Sequence, residues 1–185
     1  MKVGIVAGSM KPVTKGHWSL IQRASRENDG VRLFVSTSDR QTKGESLSIR
    51  GSDMKEVWER FLIPFLPANV KLEMVGNPVR SVYELLGEAN ETSSVHNFSV
   101  YSDPEDILER FSLNQQKKYF GELTKHDQVK FIGVERVGDM DVSGTQARKL
   151  LQHGMKDAFL QLMPEGVDRN AIWELLLLKS FVSQA

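Results

Sequence analysis

The sequence predicts an α/β fold: a single Rossmann-like domain with a five-stranded parallel sheet, helices on both faces and a helical C-terminal segment. Three observations carry this prediction. Short β-branched runs alternate with segments of helical period over most of the chain. Polar or Gly/Pro-containing breaks separate them at short intervals. After the fifth apolar run only helical patterns follow. Such alternation is met by parallel strands joined through crossover helices that cover the sheet.

Lys2 to Ala7 reads as the first strand and Val31 to Ser36 as the second, with a helix from Trp18 to Arg26 between them. From Ser52 to Phe65 the residues Met54, Val57, Trp58, Phe61 and Leu62 fall on one helical face, until Pro64 and Pro67 stop the pattern. Val70 to Val75 is a third strand, followed by a helix from about Arg80 to Ala89 and a polar loop from Asn90 to Asn97. Phe98 to Tyr101 is a fourth strand. A helix follows from Pro104 to Phe111, opened by Ser102 or Asp103 as cap, and a further helical piece covers Gln115 to Leu123. Val129 to Val134 is the fifth strand. Three helices then run from about Gln146 to Gln152, Lys156 to Met163 and Arg169 to Ser180.

With 185 residues and 40% hydrophobic content, the chain is most simply one domain, 1–185, with 143–185 its helical C-terminal part. Twenty-four basic residues balance 24 acidic ones, so no overall basic field recruits nucleic acid or an acidic membrane surface. Any anionic ligand must be bound locally. The absence of cysteine excludes disulfides, thiol nucleophiles and cysteine zinc sites, and fits a reducing cytosol. Val3 to Ala7 is too short for a signal core, and Leu175 to Leu178 too short to cross a bilayer. A soluble cytoplasmic protein is the expectation. The last helix, with Trp173 and its leucines, packs on the domain or forms a subunit contact, which leaves a homo-oligomer open.

The most informative stretch is VGIVAGSMKPVTKGHWSLIQRA, residues 3–24. Gly8 and Ser9 end the first strand where backbone turns sharply or approaches a ligand, and Pro12 fixes the loop ahead of the helix. Thr14 and His17 are three residues apart, which on a first helical turn puts them on one face beside free N–H groups and the positive dipole end. Gly16 keeps that surface uncrowded, and the whole suits phosphate oxygens. Thr14 taken alone also reads as a plain helix cap, and His17 as a structural histidine. The segment is neither a P-loop, lacking Gly-Lys-Ser/Thr, nor a Gly-x-Gly-x-x-Gly dinucleotide turn.

A second segment, Ser143-Gly144-Thr145 followed by Arg148, comes after the fifth strand and opens a helix. Two hydroxyls and a glycine at a helix start again form an anion site, with an arginine one turn in that can fork onto phosphate. A Ser/Thr cap followed by a solvated arginine is the alternative. Two such sites after two strands of one α/β domain are hard to obtain by chance.

GSMKPVTKGH resembles the Gly-x-Phe-x-Pro-x-His-x-Gly-His signature of the HxGH nucleotidyltransferase superfamily, the cytidylyltransferase-like enzymes. VSGTQAR resembles their Ile-Ser-x-Thr-x-x-Arg motif. Thr14 stands in place of the first histidine, as in the phosphopantetheine adenylyltransferase branch, and Met10 in place of the usual phenylalanine. The resemblance implies transfer of a nucleoside monophosphate from a triphosphate, ATP slightly preferred, to a small phosphorylated metabolite, with pyrophosphate leaving. Catalytic roles then fall to His17, Thr14, Lys43 and Arg148. Nucleotide contacts fall to Gly8, Ser9, Met10, Gly16, His17, Glu135, Ser143, Gly144, Thr145 and Arg148, and Mg²⁺ bridges the phosphates without a dedicated carboxylate cage. Arg40, Arg80 and Asp103 are candidates for the acceptor; Lys43 and Arg40 also read as solvated loop residues, Arg80 as a surface helix start and Asp103 as a cap. Tyr101 occupies the glycine position of the family's Gly-Ser-Asp segment. His96, His126 and His153 lack metal-ligand spacing. Two other readings stay open: a cytidylyltransferase making a CDP-activated sugar, alcohol or lipid precursor, and a non-catalytic nucleotide sensor of the same fold.

Overall fold

The computed structural model describes residues 1–41, 44, 46–135 and 144–180. Lys43 and Ser143, both named above, lie outside the described residues. The described chain forms two compact units: one holds Met1–Gly8, Leu20–Val35 and 67–135, the other Ser9–Ser19, Ser36–Leu66 and 144–180.

The first unit is built on a five-stranded parallel sheet. Its strands are β1 (Lys2–Gly8), β2 (Gly30–Ser36), β5 (Val70–Val75), β6 (Asn97–Ser102) and β7 (Val129–Gly133), in the order β5-β2-β1-β6-β7. Val6 of β1 lies opposite Leu33 on one side and Tyr101 on the other. The order reverses direction at β1, so the loop that leaves β1 leaves at the topological switch point, where α/β sheets of this kind receive ligands. Ile5 and Val6 are both fully buried, as expected of a central strand covered on both faces.

Helices cover both faces of this sheet. Ile5, Phe34, Phe98 and Val100 form one core with Val82 and Leu86 of α3 (Pro78–Glu91), Phe111, Phe120 and Leu123. Tyr83 stacks on Phe111 at 5.3 Å and tilts against Phe120 at 5.1 Å, which fixes α3 over α5 (Leu113–Tyr119) and α6 (Gly121–Lys125). On the opposite face lies α1 (Lys15–Glu27). Asn28, just past its end, donates through Nδ2 to the Tyr101 hydroxyl at 2.9 Å, and Tyr101 donates to Glu27 at 3.1 Å. Gly4 sits under this group: a Cβ there would lie 2.8 Å from Asn28 Nδ2, so a side chain at this position would displace the Asn28 amide.

Several boundaries differ from the sequence expectation. Helix α3 continues to Glu91, into the predicted loop, and Asn90 Oδ1 accepts the N–H groups of Glu122 and Leu123 at 2.8 and 3.1 Å. A distant side chain thus caps α6. The predicted Gln115–Leu123 piece is two helices, broken where fully buried Phe120 leaves helical geometry. Helix α1 begins at Lys15 rather than Trp18, which puts His17 inside its first turn. Asp103, not Ser102, caps α4 (Pro104–Arg110).

The second unit is mostly helical. Helix α2 (Gly51–Val57) passes into a π-helical turn, Trp58–Leu62, and a 3₁₀ turn, Ile63–Phe65, where Pro64 ends it. Met54, Val57, Trp58 and Leu62 are fully buried, as the periodicity predicted, whereas Phe61, placed on the same face, is only partly buried. A two-stranded ribbon, β3 (Arg40–Gln41) with β4 (Ser48–Ile49), precedes α2 and was absent from the sequence expectation. Helices α7 (Gly144–Gln152), α8 (Lys156–Leu162) and α9 (Arg169–Lys179) close the unit around Phe159 and Trp173, whose rings meet edge-on at 5.1 Å. Trp173, Leu175 and Leu176 pack inward, whereas Leu178 is exposed. Lys179 of α9 pairs with Glu56 of α2 at 2.9 Å. Among the described residues, no helix is long and apolar enough to cross a membrane.

Candidate active site

The loop Ser9–Thr14 and the start of α1 are shaped by a reciprocal cap. The Thr14 backbone N–H donates to His17 Nδ1 at 3.0 Å, and Thr14 Oγ1 lies 3.1 Å from the same nitrogen. The Thr14 carbonyl starts the helix by accepting from Trp18 N at 3.0 Å. Geometrically this is a capping box with histidine in the role usual for Glu or Gln. It has a chemical consequence: Nδ1 accepts a backbone proton, so the neutral ring carries its own proton on Nε2. Thr14 is fully buried and His17 partly exposed. The threonine thereby orients the imidazole from behind, a relation the i, i+3 spacing made legible.

Lys11 is the residue that sequence reasoning passed over. It is only 1% exposed, although lysine ahead of proline in a polar loop reads as solvated. Its Nζ donates to the Ser9 carbonyl at 3.1 Å and to the Ser36 carbonyl at 2.5 Å. Burial lowers its pKa to about 8; Asp39 opposes that shift, and Arg40 and Arg148 add to it. The flanking apolar residues Met10 and Val13, both buried, were the one available signal. Met10 itself holds a left-handed backbone at φ 51°, and the Lys11–Pro12 peptide is cis.

Arg148 is 6% exposed rather than solvated. Its Nη1 donates to the Lys11 carbonyl at 2.7 Å and its Nη2 to Thr145 Oγ1 at 3.0 Å. Burial, then Arg40, holds its pKa below the ordinary value. A Cβ on Gly144 would sit 3.1 Å from Arg148 Nη1 and 3.3 Å from the Lys11 oxygen, so glycine lets the helix start close upon the loop. The loop after β1 and the start of α7, two motifs more than 120 positions apart in sequence, are therefore one hydrogen-bonded assembly.

Ser36 and Ser38 share a hydroxyl contact at 2.6 Å beside this assembly. Asp39 Oδ1 accepts from Gly51 N at 2.9 Å, and Gly51 packs so tightly that a Cβ there would lie 1.8 Å from the Thr37 oxygen. Arg40 is exposed on β3. The cationic groups Lys11, Arg40 and Arg148 are near enough to perturb one another, with Asp39 the opposing charge. Such a cluster favours a polyanion.

The remaining candidates stand in different settings. Gly8 ends β1, and Ser9 Oγ is buried without a hydrogen-bond partner. Gly16 lies in the first turn of α1, and Glu135 is exposed past β7. Arg80 is 77% exposed at its side chain and pairs with Glu84 at 3.0 Å on the surface of α3. Asp103 accepts from Glu105 N at 2.9 Å as a helix cap. Both of these have the local, structural partners that their alternative readings anticipated. His126 pairs with Glu122 at 3.6 Å, and His153 is exposed. No cluster of three metal-ligating side chains occurs among the described residues.

No family model matches the chain. Solved structures do. A Vibrio parahaemolyticus protein described as a putative nicotinate-nucleotide adenylyltransferase superimposes with a TM-score of 0.59 at 16% identity, covering 95% of this chain and 98% of that one. Plasmodium falciparum nicotinic acid mononucleotide adenylyltransferase, complexed with NaAD, gives 0.60 at 16% identity, covering 96% and 95%. Thermotoga maritima TmcAL, bound with α-thio ATP, gives 0.53 at 13% identity, covering 96% of this chain but 55% of its own. The likeness is one of fold, and it falls on the same kind of enzyme that the two sequence motifs resemble.

Proposed function

We propose that this chain is a nucleotidyltransferase, one catalytic domain over residues 1–185, that moves a nucleoside monophosphate from a triphosphate to a small phosphorylated acceptor. The observation that carries it is one loop that holds both the Thr14–His17 cap and, three residues before it, the Lys11 carbonyl to which Arg148 donates while also donating to Thr145. In the reaction an acceptor phosphate oxygen bonds to the α-phosphorus, the bond to the bridging oxygen breaks, and pyrophosphate leaves. Charge grows on the α-phosphoryl oxygens and on the leaving group, so fixed donors matter more than a base. His17 Nε2–H donates to the α-phosphoryl oxygen. Thr14 holds the ring that does so. Arg148, Thr145 and the Gly144 N–H take the β- and γ-phosphates, with Ser143 and Lys43 assigned by the resemblance alone.

Mg²⁺ fits this site as a passenger on the triphosphate. The side chains gathered there are cations and hydroxyls, and the near carboxylate, Asp39, is already bonded to Gly51 N. Phosphate oxygens and water would hold the ion, which supplies charge neutralisation. ATP is the donor of choice, since the structural neighbours include adenylyltransferases and a protein bound with α-thio ATP. A nucleoside monophosphate such as nicotinate mononucleotide is the first acceptor to try. A reducing cytoplasm suits the cysteine-free chain.

The test is pyrophosphate release with Mg²⁺ and each of ATP, CTP, GTP and UTP over a panel of phosphorylated acceptors, with His17→Ala as control. Release that requires one triphosphate and one acceptor is expected. Preference for CTP would move the assignment to a cytidylyltransferase. Nucleotide binding without release on any acceptor would favour a sensor.

A further inference from the structure

Lys11 has no role in the mechanism above, yet it is the most buried cation described and is bonded to Ser9, Ser36 and Arg148. Its ammonium binds Ser9 at the exit of β1 and Ser36 at the exit of β2, and its carbonyl binds the Arg148 guanidinium. The charged groups that face it are Asp39 and Arg40, beyond β2, and Arg148 of α7. We propose that Lys11 is a positioning residue of the nucleotidyl-transfer site: it ties the two strand exits together, orients Arg148, and adds a buried positive charge that the bound triphosphate requires. The inference rests on the nucleotidyltransferase reading and extends it.

Shape and charge separate cleanly here. A neutral amine keeps two N–H groups, enough for the two carbonyls, so loss of the proton leaves the tie in place while the site loses a unit charge. A bound polyanion stabilises the protonated form, and by linkage triphosphate affinity must fall as pH rises past the pKa near 8. Folding has the opposite sign. The unfolded lysine binds its proton up to about 10.5, so between about 8 and 10.5 the unfolded state holds more proton, and the Lys11 contribution to stability rises with pH.

The experiment measures MgATP affinity and thermal stability of the full chain from pH 7.5 to 9.5, for wild type, Lys11→Met and Lys11→Arg, with kcat and KM where an acceptor is in hand. Wild-type affinity is expected to weaken severalfold over this range with no parallel loss of stability. Lys11→Met is expected to remove that dependence, and to lower kcat about tenfold or more, because the loop whose backbone carbonyl at position 11 holds Arg148 loses its ties to Ser9 and Ser36. Lys11→Arg, which stays charged, is expected to hold affinity level to pH 9.5. If a variant does not fold, the wild-type profile still decides. Affinity independent of pH in the wild type, or a Lys11→Met protein with unchanged kcat and the same pH dependence, would overturn the role of Lys11 alone. Failure of MgATP to bind at any pH would overturn the enzyme reading beneath it, and the role with it.

Discussion

The site candidates divide between two regions that differ in how their side chains are held. Around the first loop and α7, Lys11, Thr14 and Arg148 are buried, and Arg148 is bonded to the Lys11 carbonyl across a long sequence distance. On α3 and α4, Arg80 and Asp103 are satisfied within four residues of themselves. A surface pair such as Arg80–Glu84 stabilises little and is easily redirected to a ligand. A buried arginine bonded to a buried backbone oxygen is preorganised, at a desolvation cost, and its geometry is the kind that electrostatic catalysis uses. On the proposed reading, phosphate chemistry falls to the buried, long-range-bonded region and acceptor choice to the surface side chains.

Substitutions break the comparison in a graded way. Arg148→Ala has the largest expected effect: turnover falls about 10³-fold, and the melting temperature drops as the Lys11 carbonyl loses its donor, which kinetics and calorimetry read together. His17→Ala lowers turnover by about 10²-fold while triphosphate affinity stays within severalfold; equal losses of rate and binding would make His17 a ground-state ligand instead. Gly51→Ala carries no chemistry and is expected to destabilise by about 3 kcal/mol, since a methyl group cannot share space with the Thr37 carbonyl. Asp103→Ala costs about 1 kcal/mol for the cap, seen in urea unfolding, and raises acceptor KM only if the residue also meets the acceptor. Arg80→Ala changes stability by less than about 0.5 kcal/mol. A severalfold rise in acceptor KM with unchanged kcat would give it the binding role, and no change would leave it a surface pair.

Much of this was legible in the sequence, and the omissions have physical causes. The five strands were found because runs such as VRLFVS are buried on both faces and need little context. The β3–β4 ribbon has two residues per strand, too few for any period to appear. The cap of α6 comes from Asn90, some 30 residues away, and local pattern cannot show such a partner. At the site, the Thr14–His17 relation was readable because it is helical spacing. The partnership of Lys11 with Ser36 and Arg148 was not, since lysine in a loop is ordinarily solvated and only the tertiary fold takes it out of water. Arg148 was read as a phosphate ligand, but its burial against the Lys11 carbonyl was unreadable for the same reason.

One neighbour of this assembly has an optical use. Trp18 follows His17 directly, is buried, and lies 6.4 Å from the ring of Trp58, itself fully enclosed. Any movement of the first turn of α1 that accompanies ligand capture shifts one indole against the other in the same unit. Intrinsic emission from this pair reports such movement without a label, and a variant such as Trp173→Phe would darken the third tryptophan and leave that signal alone.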